Sequence, residues 1–216
     1  MSNELFAVLA LAAVTVGSLH TLAPDHWVPF AALARAERWS AGRTAVVTVL
    51  CGLGHVTTSV LLGLLGLAFG LKLVQEYGAH MEAIAGILLI GFGLAYGVIG
   101  LRRAAGTHLH GHAHAHYDHV HDASQKTVWA LFLLFAADPC VAVIPLLFAA
   151  APLGGLRTTA IVLLYETATI GTMVGLVLPA RAAVGVVRGA WLDRYGEAAT
   201  GALIVSVGLI VTGLGW

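Results

Sequence analysis

The chain has 216 residues, of which 59% are hydrophobic and only 10% are charged, and its formal net charge is zero with the histidines neutral. Soluble domains carry about 25% charged residues, so this composition indicates a protein of the lipid bilayer. Zero net charge offers no basic field for nucleic acid, and the polar residue in excess is histidine, with eleven copies. The only cysteines, Cys51 and Cys140, lie in separate apolar stretches and form neither a disulfide framework nor a Cys-x-x-Cys pair.

Six apolar stretches are each long enough to cross a bilayer, which takes about 20 residues of helix. The first stretch lacks the leading basic residues of a signal peptide, so we interpret it as a membrane segment. The predicted fold is all-α, a polytopic membrane protein with six transmembrane helices. The segments are approximately 5–34, 44–71, 82–101, 128–150, 158–180 and 196–216.

Lysine and arginine divide unevenly between alternate connections of these segments. The second and fourth connections contain only Lys72 and Arg157. The other nine basic residues are Arg35, Arg38, Arg43, Arg102, Arg103, Lys126, Arg181, Arg188 and Arg194. By the positive-inside rule the first, third and fifth connections face the cytoplasm. We therefore expect a multi-pass protein of the cell (inner) membrane with both termini outside.

A weak internal repeat relates the two halves of the chain. A shift of 115 residues superposes Pro24 on Pro139 and Gly86 on Gly201. Two three-helix units in one chain must run in opposite directions, which is the inverted-repeat plan of many secondary transporters, with a substrate site near the midplane. The predicted organisation is a three-helix repeat over 1–103, a His-rich cytoplasmic loop over 104–126 and a second repeat over 127–216.

Glycines at small-xxx-small spacing predict close packing of membrane helices. Examples are Gly93 with Gly97 and Gly171 with Gly175. Glu197 begins its predicted segment, and we interpret it as a favourable charge at a helix N-terminus.

The first segment carries an unusual polar motif, His20-x-x-x-Pro24-Asp25-His26. On an unbroken helix these side chains would point in different directions. Pro24 lacks an N–H and clashes with the carbonyl group of His20, so we expect it to break the helix there. Irregular backbone at this depth is tolerated only in a protein interior or beside a cavity, so the break predicts a site.

Three further segments carry intramembrane polar groups. The fourth repeats the proline break as Asp138-Pro139-Cys140, the second contains His55, and the fifth contains Glu166. A charged acid at a helix centre costs about 2.5–3.5 kcal/mol, and no Lys or Arg lies within the spans to offset it. Simpler interpretations stay open, since His55 could bond between helices, Asp138 could bond backbone N–H groups and Cys140 could be a small buried hydrophobe.

Imidazoles beside carboxylates are the ligands expected for nickel, cobalt or zinc, whereas calcium and magnesium favour oxygen alone. The residues therefore predict a transition-metal cargo, Ni²⁺, Co²⁺ or Zn²⁺, and no prosthetic group is expected. The predicted metal ligands are His20, Asp25, His26, His55, Asp138, Cys140 and Glu166.

The third connection is rich in histidine alternating with small residues. Such a composition cannot build a core, and it is typical of flexible metal-binding segments. The predicted auxiliary ligands are His108, His110, His112, His114, His116, His119 and His121. On the cytoplasmic side they could gather ions before export or buffer them after import.

These motifs resemble those of nickel/cobalt transporters. The spacing from His20 to Asp25-His26, followed by His55, is similar to the signature of that family. The forms Pro24-Asp25-His26 and Asp138-Pro139-Cys140 are closer to the NicO-type branch, which includes nickel/cobalt efflux proteins and urease-accessory-type membrane permeases. The resemblance implies metal binding by His20, Asp25, His26 and His55, and it leaves transport direction and metal selectivity open.

Three other functions fit parts of the pattern. His20 with Asp25 matches the catalytic spacing of glycerolipid acyltransferases, but no basic phosphate-binding motif follows, so we expect no enzyme. A membrane thiol-redox carrier would need cysteines at matching places in both halves, which Cys51 and Cys140 do not provide. A proton-coupled carrier of another small solute, with Asp25 and His26 as the relay, is the remaining alternative.

Overall fold

The computed structural model describes residues 2–106, 117–140, 142–186 and 189–214. Throughout these ranges the secondary structure is helical, without strands, which confirms the predicted all-α class. The α-helices are α1 (Ser2–His20), α2 (Val28–Ala36), α3 (Ala41–Phe69), α4 (Leu71–Gly106), α5 (Tyr117–Ala137), α6 (Val143–Ala150), α7 (Gly155–Val186) and α8 (Ala190–Leu214). Two short 3₁₀ helices cover Pro24–His26 and Ala151–Leu153.

Five of the described helices are long and apolar enough to cross a membrane. Their apolar stretches are Asn3–His20, Ala41–Phe69, Ile84–Gly106, Gly155–Ala183 and Arg194–Gly213. Large apolar side chains on the outer surface are strongly exposed, among them Leu11, Phe69 and Leu133. A surface of this kind is suited to lipid, so the fold is that of a multi-pass membrane protein.

The fourth predicted segment is not a single spanning helix. Its residues form the end of α5 and the whole of α6, and the apolar stretches are only Gln125–Ala137 and Val143–Leu153. The chain leaves the helix at Asp138-Pro139-Cys140 because Pro139 has no N–H to continue the helical hydrogen bonding. The first predicted segment is divided in the same way, into α1 and α2.

The predicted connection between the second and third segments is also shorter than expected. Only Gly70 separates α3 from α4, and the polar stretch from Lys72 onward is already helical. Gly70 has φ of +102° and donates its N–H to the carbonyl oxygen of Gly66 at 2.7 Å. This glycine ends α3, and the residues after Lys72 include no proline that would delay the next helix.

Helices α4 and α8 form the closest helix pair. A Cβ placed on Gly93 would lie 2.9 Å from the carbonyl oxygen of Gly201, so the backbones touch where Gly93 and Gly97 face α8. The close packing predicted for these two glycines is confirmed. For Gly171 and Gly175 it is wrong, because a Cβ at either position would meet open space.

Polar contacts connect α4 to α8 and to the residue after α2 at one end of the bundle, around Glu37 and Arg103, and we call this the arginine end. Tyr96 of α4 donates a hydrogen bond to Glu37, which follows α2, at 3.0 Å. Arg103 of α4 forms an ion pair with Glu197 of α8 at 3.0 Å. Glu197 thus lies inside α8 and pairs with a neighbouring helix, so its interpretation as a terminal charge is wrong. At the opposite end, Arg157 at the start of α7 bonds Asn3 of α1 at 2.9 Å.

Two buried hydrophobic clusters hold the bundle together. One includes Phe30, Trp39 and Phe135, and it joins α2 and α5 to α3, α4, α7 and α8. The other surrounds Tyr165 and joins α1, α6 and α7. The first cluster contains Cys51 and the second contains Cys140, so the two cysteines belong to different parts of the core.

Candidate metal centre

The first helix break places two histidines next to each other. Because Pro24 has no N–H, the carbonyl oxygen of His20 accepts a hydrogen bond from the N–H of Ala23 instead, at 3.1 Å. The chain then turns through the short helix Pro24–His26 before α2 begins. The predicted break is confirmed, and it brings the ring centroids of His20 and His26 to 4.4 Å.

A third imidazole comes from the middle of α3. His55 is the fifteenth of the 29 residues of this helix. Its ring centroid lies 5.2 Å from that of His26 and 6.3 Å from that of His20. His26 and His55 are only 2% and 1% exposed, so three imidazoles converge deep inside the bundle.

The second helix break adds a thiol to these imidazoles. The N–H of Cys140 donates to Ser59 Oγ at 2.6 Å, and Ser59 in turn donates to the carbonyl oxygen of His55 at 2.7 Å. This relay ties the broken segment to α3. The ligand atoms of His20, His55 and Cys140 all lie within 4.8 Å of one another. His26 is outside this group of ligand atoms, but its ring packs against those of His20 and His55, and we refer to His20, His26, His55 and Cys140 together as the His/Cys cluster.

Several ring nitrogens of the cluster are buried without a hydrogen-bond partner in the described part of the chain. They are Nε2 of His20, Nε2 of His26 and both nitrogens of His55. Leaving a buried polar atom unsatisfied costs about 1–3 kcal/mol, and native structures avoid it. A cation among these nitrogens would supply the missing partner, so the donor set fits a metal ion.

The separations of the ligand atoms also fit such an ion after a small adjustment. Metal bonds to imidazole nitrogen and thiolate sulfur are about 2.0–2.3 Å long, which puts neighbouring ligand atoms roughly 3–4 Å apart. His20, His55 and Cys140 lie within 4.8 Å of one another, so closure around an ion needs movements of about 1 Å.

Two of the three predicted acids line one small cavity, and the third lies apart from them. Asp25 Oδ1 lies 3.0 Å from Nδ1 of His26, so Asp25 reaches the cluster through this imidazole. Asp138 lines a cavity of about 20 Å³ together with Asp25. Glu166 is half-buried on α7 and lies outside the group formed by His20, His55 and Cys140. The structure therefore brings together the histidines and the cysteine and leaves Glu166 apart.

Residues His108, His110, His112, His114 and His116 lie outside the described part of the chain. His119 and His121 fall in the first turns of α5, and their side chains are outside the description as well.

Two supporting residues are absent from the predicted ligand set. Tyr165 is fully buried, and its hydroxyl oxygen lies 2.6 Å from Cys140 Sγ. Ser59 forms the relay between Cys140 and His55. The helical spacing of Ile161, Tyr165 and Thr169 marks the buried face of α7, and this signal identifies Tyr165 rather than Glu166 as the inward residue.

Comparisons with known proteins provide one sequence match. The chain is 29% identical over 118 residues to the urease accessory protein UreH of Bacillus sp. (strain TB-90). The aligned part is 54% of this chain and 49% of UreH, so the chain spans about half the length of this curated relative. No family model and no solved structure matches the chain. The similarity to this urease accessory protein confirms the resemblance that the motifs indicate to urease-accessory-type proteins.

Proposed function

We propose that this protein is a membrane permease that moves a divalent transition-metal ion, nickel or cobalt, across the cytoplasmic membrane. The observation that carries the proposal is the buried His/Cys cluster, in which imidazole nitrogens have no hydrogen-bond partner among the described residues. Imidazole and thiolate are ligands of late transition metals, and a site of this kind inside a membrane bundle is suited to an ion in transit. The ion is the substrate of the protein and not a resident cofactor.

The cluster is assembled where two helices are interrupted within the bundle. Each break supplies side chains from a short irregular segment, with His26 before α2 and Cys140 before α6. In our proposal α1 with α2 forms one crossing and α5 with α6 forms another, which gives six crossings in total. Discontinuous helices of this kind form the substrate sites of many transporters.

The packing of the helices supports an inverted repeat. Helices α1 and α2 both pack on α7. Their counterparts in the second half, α5 and α6, both pack on α3, which is the counterpart of α7. A Cβ on Gly93 would approach the carbonyl oxygen of Gly201 at 2.9 Å, and one on Gly208 would approach that of Gly86 at 3.1 Å. The 115-residue shift relates Gly93 to Gly208 and Gly86 to Gly201, so it converts each of these contacts into the other. A two-fold axis between the two halves would produce this relation. The organisation we propose is the predicted one, 1–103 and 127–216 joined by 104–126.

The arginine end faces the cytoplasm in this proposal, with both termini outside. Arg103, Arg181 and Arg194 all form their polar contacts there, as the positive-inside rule requires of a cytoplasmic face. Arg103 near the end of α4 and Thr127 in the middle of α5 both form contacts at this end, and the His-rich stretch lies between them in the sequence. Its histidines would hold metal ions close to the cytoplasmic entrance or exit of the permease.

The choice of nickel or cobalt rests on the family resemblance and on the relative, whose name makes it an accessory protein of urease. The His/Cys donor set itself also suits Zn²⁺. Competition between these ions in a transport assay decides the substrate.

The main alternative is a membrane thiol-redox carrier. Its two cysteines would have to approach each other, yet Cys51 and Cys140 lie in separate hydrophobic clusters and both are free. The Cys51→Ser variant should therefore transport metal normally, whereas a redox carrier would lose its activity in either single Ser variant.

The test is radioactive nickel and cobalt flux in inverted and right-side-out vesicles. We expect flux in wild type that is abolished by His55→Ala, because this change removes a central imidazole. His80→Ala is the matched control, since His80 is an exposed histidine on α4 outside the cluster. Undiminished flux in His55→Ala would contradict the proposal, and the vesicle orientation that supports flux gives the direction of transport.

A further inference from the structure

A large cavity opens at the arginine end, and none of the proposed metal ligands lines it. Its volume is about 700 Å³, within the range of about 300–1,000 Å³ found for ligand pockets. One side of the cavity is lined by residues between Trp27 and Arg38, along α2, and the other sides are lined by residues of α4, α7 and α8. The cavity is therefore a second candidate binding site, independent of the proposed transport function.

The charged groups of the cavity are mostly positive. Four arginines line it, Arg35, Arg38, Arg103 and Arg194, against a single described carboxylate, Glu197. Both oxygens of Glu197 bond Nη1 of Arg103 at 3.0 Å. Among the described lining residues, positive charge therefore exceeds negative charge. Such an excess beside a low-dielectric wall attracts an anion and repels a metal cation.

The remaining wall of the cavity is apolar. Trp27, Val28 and Leu203 contribute large apolar surfaces, and alanines of α2 such as Ala31 and Ala32 leave space between the helices. A small hydrophilic anion would leave this wall exposed to water. An anion with attached hydrocarbon chains would cover both the basic and the apolar parts.

We propose that this cavity binds an anionic phospholipid. The headgroup phosphate lies among the guanidinium groups of Arg35, Arg38 and Arg194, and an acyl chain follows the apolar wall formed by α2 and α8. Basic pockets between transmembrane helices near one membrane surface are known to suit anionic headgroups. Guanidinium groups bind phosphate oxygens with paired hydrogen bonds, so a group of arginines suits a phosphate headgroup.

The test is native mass spectrometry of the purified full chain in neutral detergent. The protein is titrated with phosphatidylglycerol, with phosphatidylcholine of the same acyl chains and with inorganic phosphate. We expect phosphatidylglycerol to bind about tenfold or more tightly than phosphatidylcholine, and Arg35→Gln/Arg194→Gln to remove this preference. Arg43→Gln should keep the preference for phosphatidylglycerol. Arg43 lies in the first turn of α3, packs on the Trp39 ring and does not line the cavity.

Equal affinity for the two lipids in wild type would overturn the proposal, as would loss of the preference in Arg43→Gln. Displacement of phosphatidylglycerol by inorganic phosphate would assign the cavity to a free anion and overturn the lipid assignment. If the double variant does not fold, the single variant Arg38→Gln replaces it, since Arg38 is exposed. A wild-type preference in Arg38→Gln would then count against the proposal.

Discussion

At the residue scale, Asp25 contacts the candidate metal centre through His26. The Asp25 carboxylate lies 3.0 Å from Nδ1 of His26, while Nε2 of the same ring is buried without a hydrogen-bond partner among the described residues. Histidines that bind metals commonly donate their other ring N–H to a carboxylate in this way, which fixes the tautomer and the ring orientation. Asp25 is therefore best explained as the residue that positions His26.

This arrangement predicts the effect of Asp25→Asn. The amide keeps the size of the side chain but removes the charge that orients the imidazole, so we expect metal affinity to fall about 10- to 100-fold. Equilibrium binding of Ni²⁺ or Co²⁺ to purified protein measures the change. Glu166→Gln is the matched control and should change affinity little, since Glu166 lies outside the close group of ligand atoms. An equal loss in both variants would show that Asp25 has no special role.

At the element scale, the two helix breaks determine which side chains meet. The sequence was sufficient to predict the breaks at Pro24 and Pro139, because a missing N–H acts locally. It was not sufficient to predict that Pro179 lies inside α7 without ending it. Whether a helix continues past a proline depends on contacts of the surrounding helices, and these are not visible in local spacing. By contrast, the inward direction of Tyr165 follows the helical spacing of Ile161, Tyr165 and Thr169, and it could have been identified from that spacing.

Restoring the helix at the first break should damage the site without damaging the fold. In Pro24→Ala a backbone N–H becomes available to the carbonyl oxygen of His20, so α1 can continue and turn His26 away from His55. We expect metal affinity to fall tenfold or more, by analogy with the loss of a supporting residue. The temperature of thermal unfolding should change little, because Pro24 lies at the first position of a short 3₁₀ helix, where proline is tolerated but not required.

The matched control is Pro179→Ala, which should leave metal affinity unchanged because Pro179 interrupts no helix. Wild-type affinity in Pro24→Ala would mean that the break does not form the site.

The contact between α4 and α8 gives a prediction for stability. A Cβ on Gly201 would collide with the backbone of Gly97, so Gly201→Ala must separate the two helices. Overpacking of this kind costs about 1–3 kcal/mol, and the thermal unfolding temperature should fall accordingly. Gly91→Ala on the neighbouring helix should be neutral or slightly stabilising, because its Cβ would meet open space. Equal unfolding temperatures for the two variants would argue against the close helix contact.

At the scale of the whole molecule, composition predicted a membrane protein and the helices agree with it. The lengths of the apolar stretches placed most of the membrane segments, but they overestimated the connection after α3. The convergence of His20, His55 and Cys140 from α1, α3 and the segment before α6 depends on long-range packing. The sequence indicated each of these residues as a candidate metal ligand, and only the fold shows which of them are neighbours.

The central claim is that the His/Cys cluster binds the metal ion, and X-ray absorption spectroscopy of protein loaded with one equivalent of Ni²⁺ or Co²⁺ tests it most directly. The measurement should use a variant with the seven loop histidines replaced by alanine, so that the loop does not compete. We predict imidazole nitrogens and one sulfur in the metal shell, with the sulfur lost in Cys140→Ser and kept in Cys51→Ser. A shell of oxygen and nitrogen alone, unchanged by Cys140→Ser and by His55→Ala, would contradict this account.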